Sequence, residues 1–402
     1  MLISKKNTKL HLWLTPLIVG IVASSFYAYD FLVRVMPMAI AHELLDAFKI
    51  QAGELSILFS GFFLRLRLMQ IPSGMLCDKF GARRLLSLGL LVCSIATLIF
   101  ASTTYFPLAV IARFIMGFTA SIAYLGALWV GAYWLGAKRF AMYAGLVQVL
   151  GCAGAVIGSA PVAHFANLYG WQRTTYFIAA LGFLLTILNW IVIRDKPKES
   201  HLTKAAAKLL AQENRLYLRD VFKRTQSWWI ALFGFAIWGP TALFATSWGA
   251  LFLVSSHQFT NVHATALLSL IWLGIAVGGP FFGWWTNAIQ RRRLPMVTAA
   301  LLGFVVASLI LYVPALPQML LAVCLFLFGA ACSAMVISFG LVIDNNHAQA
   351  VGTASGLTNM VLFSPVLFYN RLWVYCWINS GTVECWEMLL SIVPMLIKLR
   401  LR

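Results

Sequence analysis

Apolar residues follow one another along this chain in long runs that short polar stretches interrupt. The segments Leu85–Ile99 and Met319–Phe328 are apolar on every side of a helix. A membrane-embedded barrel strand would instead alternate apolar and polar positions. Because a helix needs about 20 apolar residues to cross the hydrocarbon core of a bilayer, runs of this length indicate transmembrane helices. The pattern therefore predicts an all-α membrane protein.

Twelve such spans fit within the 402 residues. They are predicted at 13–36, 55–77, 85–103, 107–135, 142–165, 174–193, 228–254, 264–288, 295–313, 317–343, 350–369 and 386–397. The longest polar stretch, 194–227, carries nine basic residues and divides the spans six and six. It predicts an N-terminal bundle over 1–193, a basic cytoplasmic linker over 194–227 and a C-terminal bundle over 228–402. The last span is the least regular, because Glu384 and Glu387 interrupt it.

Composition and charge support a membrane protein and argue against nucleic acid as a partner. The chain is 61% hydrophobic and 10% charged, with a net charge of +18 and a mean hydropathy of +0.85. Its basic residues lie between the apolar spans rather than on one soluble face. They concentrate before the first span and after the even-numbered ones except the tenth, which is the positive-inside pattern and predicts that both termini are cytoplasmic.

Motifs for catalysis are not found in the sequence. It has no phosphate-cradling loop, nucleophile elbow or zinc motif, and its seven cysteines lie at no metal-ligand spacing. We therefore expect neither an enzyme nor a protein with a cofactor or metal.

A charged motif follows the second span. Gly74, Asp78, Gly81, Arg83 and Arg84 have the spacing G-x-x-x-D-x-x-G-x-R-R. Glycines permit close helix contacts, Asp78 can face a helix N-terminus or the arginines, and the arginines hold to the cytoplasmic surface. These residues form a breakable latch that resembles the cytoplasmic motif of the major facilitator superfamily.

Two further elements resemble the same superfamily. Arg113 and Gly117 in the fourth span match its R-x-x-x-G element. A cation inside a span is costly, so Arg113 is expected to face the bundle interior, either coupling proton movement to transport or bracing two helices. The segment 283–293 repeats the latch after the eighth span, with Thr286 in place of the acidic residue. We expect this second latch to be weaker.

The resemblance implies a fold and a function. The fold is that of twelve helices in two six-helix bundles, related by a pseudo-two-fold axis along the membrane normal. The function is that of a secondary transporter, a monomer in the lipid bilayer of the bacterial inner membrane. It moves a small molecule by alternating access, with coupling to protons.

Polar groups deep in the spans are the candidate substrate and coupling residues. Asp30 and Arg34 are four residues apart on one helical face, with Tyr27 nearby, so they can form an ion pair. Asp30 could carry a proton, and the planar fork of Arg34 could hold a carboxylate or phosphate; the alternative is an internal salt bridge with no transport role. Further candidates are Tyr124, Tyr133, Gln148, Trp238, Thr241, Trp248 and Asn359.

Two short runs suggest a substrate class. Arg34–Pro37 and Met69–Pro72 resemble a bacterial branch related to lysosomal dipeptide transporters. The resemblance implies that amino acids, dipeptides or other small carboxylates are transported.

Two segments depart from the superfamily pattern. Leu64–Arg67 places two arginines within a span, and Tyr369–Ile378 departs from the pattern where an eleventh span should end. Both can be encoded so that a shifted reading frame gives apolar sequence, which leads to the hypothesis of compensated frameshifts across 62–68 and 364–385. Two alternatives to an active carrier therefore stay open: a decayed transporter without activity, and a nontransporting membrane sensor.

Overall fold

The computed structural model describes residues 2–69, 73, 76, 80–135, 137–194, 221–313, 316–346 and 351–364. The helices of the N-terminal half are α1 Leu2–Ala39, α2 Ala41–Phe48, α3 Ala52–Leu68, α4 Ala82–Ser102, α5 Phe106–Leu135, α6 Ala137–Gly158, α7 Ala160–Tyr169 and α8 Trp171–Val192. Those of the C-terminal half are α9 Thr225–Leu243, α10 Gly249–His257, α11 Asn261–Ile289, α12 Arg293–Tyr312, α13 Gln318–Cys332, α14 Val336–Asn345 and α15 Val351–Leu362.

The described residues contain no strand, and nine spans within them are long and apolar enough to cross a membrane. Many of their outward-facing side chains are apolar, for example Phe177, which is 70% exposed. Such a surface fits lipid rather than water. The prediction of an all-α membrane protein is thus confirmed.

Eleven of the twelve predicted spans coincide with helices. Spans two and eleven correspond to α3 and α15, whose described lengths are 17 and 12 residues. The predicted twelfth span lies outside the described residues, as does most of the predicted linker, residues 195–220.

Three spans, the fifth, the seventh and the tenth, are interrupted at points that hydrophobicity does not show, the tenth by a 3-10 turn at Ser333–Met335. The fifth breaks at Ser159, one residue before α7 begins with Pro161 near its start. The seventh contains Pro240 in α9 and then a π-helical turn, Phe244–Trp248, before α10. A proline removes a backbone donor, and a π turn widens the helix, so both bend the span.

Small residues allow neighbouring helices to approach closely. A Cβ atom added to Gly154 in α6 would lie 1.9 Å from the carbonyl oxygen of Ala28 in α1. A Cβ atom added to Gly117 in α5 would lie 2.0 Å from the carbonyl oxygen of Phe62 in α3. At these contacts the backbones meet almost directly, with no room for a side chain.

The helices alternate in direction, and contacts identify the two ends of the molecule. We call the end that holds residues 40–51, 103–105, 170 and 258–260 the far end, and the opposite end the near end. At the far end Phe48 packs against Phe100 and Trp171, at centroid distances of 6.5 and 5.9 Å. At the near end the Arg224 guanidinium donates to the Asn345 carbonyl at 2.9 Å.

The two halves meet along α1, α6, α7 and α11, and again where α3 contacts α15. At the far end the Asn261 amide of α11 donates to the Ala39 carbonyl of α1 at 2.7 Å. Deeper in the molecule Phe59 of α3 packs edge-on against Trp248, with ring centroids 5.8 Å apart. These contacts join the halves on the far side of the molecule.

Part of the predicted first latch is visible. Gly81 has φ +80° and precedes α4, which suits a glycine because a Cβ would be strained there. The Arg83 guanidinium donates to the Trp190 carbonyl at 2.9 Å and covers the Trp190 ring at 4.5 Å. Arg84 is exposed. Gly74 and Asp78 lie outside the described residues, so the acidic part of the latch stays a prediction.

The second latch has an acidic partner that the sequence pattern did not indicate. Thr286 donates back to carbonyls of its own helix, so it does not replace the missing acid. Instead Arg292 forms a two-point ion pair with Asp344 at the end of α14. Gly340 leaves space for this arginine, because a Cβ there would lie 2.2 Å from its guanidinium.

Candidate substrate site

A cavity of about 530 Å³, part of it open to solvent, lies between the two halves. Its wall is formed by Tyr27, Phe31, Arg34, Ala120, Tyr124, Gln148, Trp238, Met335, Phe339, Asn359, Leu362 and Phe363. The N-terminal half contributes four polar residues to this wall, and the C-terminal half contributes two, Trp238 and Asn359.

Asp30 and Arg34 form an ion pair one helical turn apart on α1. The side chains are 1% and 3% exposed, so neither charge is hydrated. One carboxylate oxygen of Asp30, Oδ1, is buried without a hydrogen-bond partner among the described residues. The predicted pairing is confirmed, and Arg34 also reaches the cavity wall.

Aromatic rings surround the Arg34 guanidinium. Its central carbon lies 4.1 Å from the centroid of Phe31, and 5.6 Å from the centroids of both Phe62 and Phe363. Such cation–π contacts stabilise a cation that has lost its water, by about 2 kcal/mol or more. The rings fix the guanidinium where both halves of the molecule can reach it, because Phe363 follows α15 and Phe31 belongs to α1.

Arg113 lies in the interior of the N-terminal half and does not line the cavity. It is 1% exposed and donates to the Val33 carbonyl of α1 at 2.9 Å. Its guanidinium carbon lies 4.7 Å from the Phe62 centroid, so Phe62 contacts both arginines. The prediction that Arg113 faces the bundle interior and meets an acceptor agrees with this position.

The buried charges do not balance. Among the described side chains, the buried charged ones are Asp30, Arg34 and Arg113, which are one anion and two cations. A charge buried in the membrane interior is costly unless it is paired. The described interior therefore has one positive charge in excess.

The remaining polar groups of the wall form a loose network. The Tyr27 hydroxyl donates to the Gln148 amide oxygen at 3.4 Å, and the Tyr27 and Tyr124 rings are 5.0 Å apart. Phe31 packs edge-on against Trp272, which in turn contacts Trp238. Such long hydrogen bonds are weak, so an entering ligand can replace them.

Six of the candidate residues line this one cavity: Tyr27, Arg34, Tyr124, Gln148, Trp238 and Asn359. Asp30 touches it through Arg34, whereas Arg113 does not reach it. Of the additional candidates, Thr241 and Trp248 are buried and absent from the wall, and the side chain of Tyr133 lies outside the description. The sequence reasoning missed the apolar part of the wall, including Phe31 and Phe363. The only sequence feature that indicates them is their position one helical turn away from a polar candidate.

No group of histidine, cysteine or acidic side chains in the described part of the chain has the geometry to hold a metal ion. The site must therefore be interpreted from its own side chains: a guanidinium, two phenols, two amides and an indole around a partly apolar space. This set can bind an anion that carries further hydrogen-bonding groups.

Comparison with known proteins adds the family context. The family model described as Major Facilitator Superfamily matches residues 18–368. The uncharacterized transporter YybO of Bacillus subtilis is 23% identical over 70% of this chain and 66% of its own length. The probable galactarate/D-glucarate transporter GarP of Escherichia coli is 23% identical over 87% of this chain and 84% of its own length.

Solved structures show the same fold. A bacterial homologue of the human lysosomal transporter Spinster, in an inward-facing and unoccupied conformation, superposes with a TM-score of 0.75. The match covers 95% of both chains at 15% sequence identity. At that identity the likeness concerns the fold alone.

Proposed function

Because the chain belongs to the Major Facilitator Superfamily, we propose that it is a secondary transporter that carries a small carboxylate through the cavity beside Arg34. The observation that carries this proposal is the Arg34 guanidinium in the cavity wall, within a described interior whose buried charges are two cations and one anion. An entering carboxylate balances the charge, and the guanidinium fork can bind it through two parallel hydrogen bonds. Aromatic neighbours exclude water and strengthen the interaction.

The position of the cavity supports alternating access as the proposed mechanism. The wall is shared by both halves, so a bound solute contacts both of them. In the observed state the halves are joined on the far side, through Asn261 and Ala39 and through Phe59 and Trp248. Transport requires that these contacts separate while the near end closes. The first latch and the Arg292–Asp344 pair belong to the near end and are the groups that such a closure rearranges.

Asp30 is the proposed proton carrier. While Asp30 is ionised, it holds Arg34 in the ion pair. When a proton neutralises the carboxylate, Arg34 loses that partner and can take the carboxylate of the substrate instead. Protonation of Asp30 and binding of the anion are thereby linked, which gives proton-coupled symport. Arg113 remains nearby as a second cation and favours the return of Asp30 to its ionised form.

The substrate class includes amino acids, dipeptides and other small carboxylates. The relative named for galactarate and D-glucarate suggests that carboxylates without an amino group belong to it. An amino acid would need an acceptor for its ammonium group in addition to Arg34. Among the described polar groups of the wall, only the amide oxygens and phenols can serve, since Asp30 is paired.

The proposed setting is the bacterial inner membrane, with both termini and the near end in the cytoplasm. Lys and Arg are concentrated in the loops of that end, which supports this orientation. The predicted bundles 1–193 and 228–402 are the two moving bodies of the proposal, and a monomer suffices for it.

The test is uptake into proteoliposomes under an imposed pH gradient, with labelled glucarate, succinate and glutamate as separate probes. The wild type should accumulate at least one of them faster than protein-free vesicles. Arg34→Gln should abolish that uptake, whereas Arg173→Gln, a change at an exposed arginine, should leave it unchanged. Equal uptake by wild type and Arg34→Gln would refute the role of Arg34. Failure of the wild type with all three probes would favour the decayed transporter.

A further inference from the structure

Trp238 is a hydrogen-bond donor without an acceptor in the cavity wall. It is 2% exposed, its ring lines the cavity, and its indole nitrogen is buried with no hydrogen-bond partner among the described residues. An indole N–H can only donate, and buried tryptophans usually have an acceptor for it. Within the described residues this N–H is therefore available to donate to a ligand.

The neighbours of Trp238 are rings. Phe363 lies 6.3 Å away and edge-on, and Trp272 lies 6.4 Å away, by centroid distance. Neither side chain offers an acceptor in the ring plane. Trp238 also belongs to α9 of the C-terminal half, whereas Arg34 belongs to α1 of the N-terminal half. The two residues are therefore polar groups on opposite walls of one cavity.

We propose that Trp238 is a specificity-determining residue whose indole N–H donates to a second oxygen of the substrate, away from the carboxylate that Arg34 binds. This inference rests on the proposed function of the same site. In the bound state the ring turns its N–H toward that oxygen, so the substrate connects the two halves. The substrate is then a hydroxy acid or a dicarboxylate rather than a simple alkyl carboxylate.

Trp272 provides a matched internal control. It is fully buried, and its indole nitrogen also has no partner among the described residues. However, Trp272 does not belong to the cavity wall. Replacing either tryptophan by phenylalanine removes one unsatisfied N–H and keeps an aromatic ring. Only the Trp238 change should alter the choice of ligand.

The experiment measures dissociation constants of three probes for the purified protein: 4-hydroxybutanoate, succinate and pentanoate. Pentanoate has the same number of heavy atoms as 4-hydroxybutanoate, with a methyl group in place of the hydroxyl. The wild type should bind 4-hydroxybutanoate or succinate at least tenfold more tightly than pentanoate. Trp238→Phe should reduce that preference to near unity without weakening pentanoate, while Trp272→Phe should retain it.

The outcomes separate this inference from the proposed function. If the wild type shows no preference, or if the preference survives in Trp238→Phe, the assignment of Trp238 is wrong while the carboxylate site stands. If Trp272→Phe loses the preference to the same extent, the effect comes from ring packing and the assignment is also wrong. If no probe binds with or without Arg34, the proposed carboxylate site itself is refuted.

Discussion

The ion pair between Asp30 and Arg34 allows a prediction that separates a balanced salt bridge from a site with excess positive charge. The substitutions are Asp30→Asn, Arg34→Gln and the two combined. Each keeps nearly the same side-chain size and replaces a charge by an amide. In an isolated bridge the two single changes would be about equally harmful, because each leaves one buried charge without a partner.

The third buried charge makes the expected effects unequal. Asp30→Asn removes the one buried anion among the described side chains and leaves Arg34 and Arg113 as buried like charges, so we expect a loss of about 3–5 kcal/mol in the free energy of unfolding. Arg34→Gln leaves Asp30 with Arg113, which interacts with it electrostatically, so the loss should be smaller, about 1–3 kcal/mol. The double substitution leaves only one of these three charges, that of Arg113. It should therefore lower the free energy of unfolding less than Asp30→Asn alone does.

The assay is thermal unfolding of the purified proteins in one detergent, followed by tryptophan fluorescence. The midpoints should rank wild type highest, Asp30→Asn lowest, and the other two between them. Changing the detergent should not alter that order. A midpoint for Arg34→Gln below that of Asp30→Asn, or additive effects in the double substitution, would refute the reasoning from excess positive charge.

Further predictions concern packing, pH and the sequence itself. Gly154→Ala should destabilise the protein by about 1–3 kcal/mol by overpacking. On the same helix, a Cβ atom added to Gly145 meets no atom within 4 Å, so Gly145→Ala should stabilise the protein by up to about 1 kcal/mol. Thermal unfolding of the two variants and the wild type measures both effects. Burial raises the pKa of the Glu43 carboxyl, so its contribution to stability should be complete below about pH 4.5 and decline as pH rises through the higher folded-state pKa. Unfolding midpoints of Glu43→Gln should lack this pH dependence. Resequencing of the genomic locus should give codons across Arg65 and Arg67 that encode apolar residues in a shifted frame, and codons that do not would reject the frameshift hypothesis.

Hydrophobicity alone predicted the helices well. A span must be apolar over about 20 residues in any lipid-exposed fold, so its existence and approximate limits follow from composition. The positions of helix breaks were not predictable to the same degree. Pro240 indicates a bend in the seventh span, but the π turn that follows at Phe244–Trp248 depends on packing against α1 and α11.

The candidate site was predictable where it is polar. A charged or hydrogen-bonding side chain inside a span must face the interior, and six of the candidate residues do line one cavity. Apolar wall residues such as Phe363 gave no such signal, since most residues of a span are apolar. The partner of Arg292 was also missed, because Asp344 is 52 residues away in sequence and only the fold brings them together.

The central claim is that the cavity binds a carboxylate through its charge. The most direct measurement compares the binding of succinate with that of succinamide, a neutral molecule of nearly the same shape, by isothermal titration of the wild type and of Arg34→Gln. We predict that succinate binds to the wild type, that succinamide binds at least tenfold more weakly, and that Arg34→Gln removes the difference. Equal binding of the two ligands by the wild type would contradict the claim.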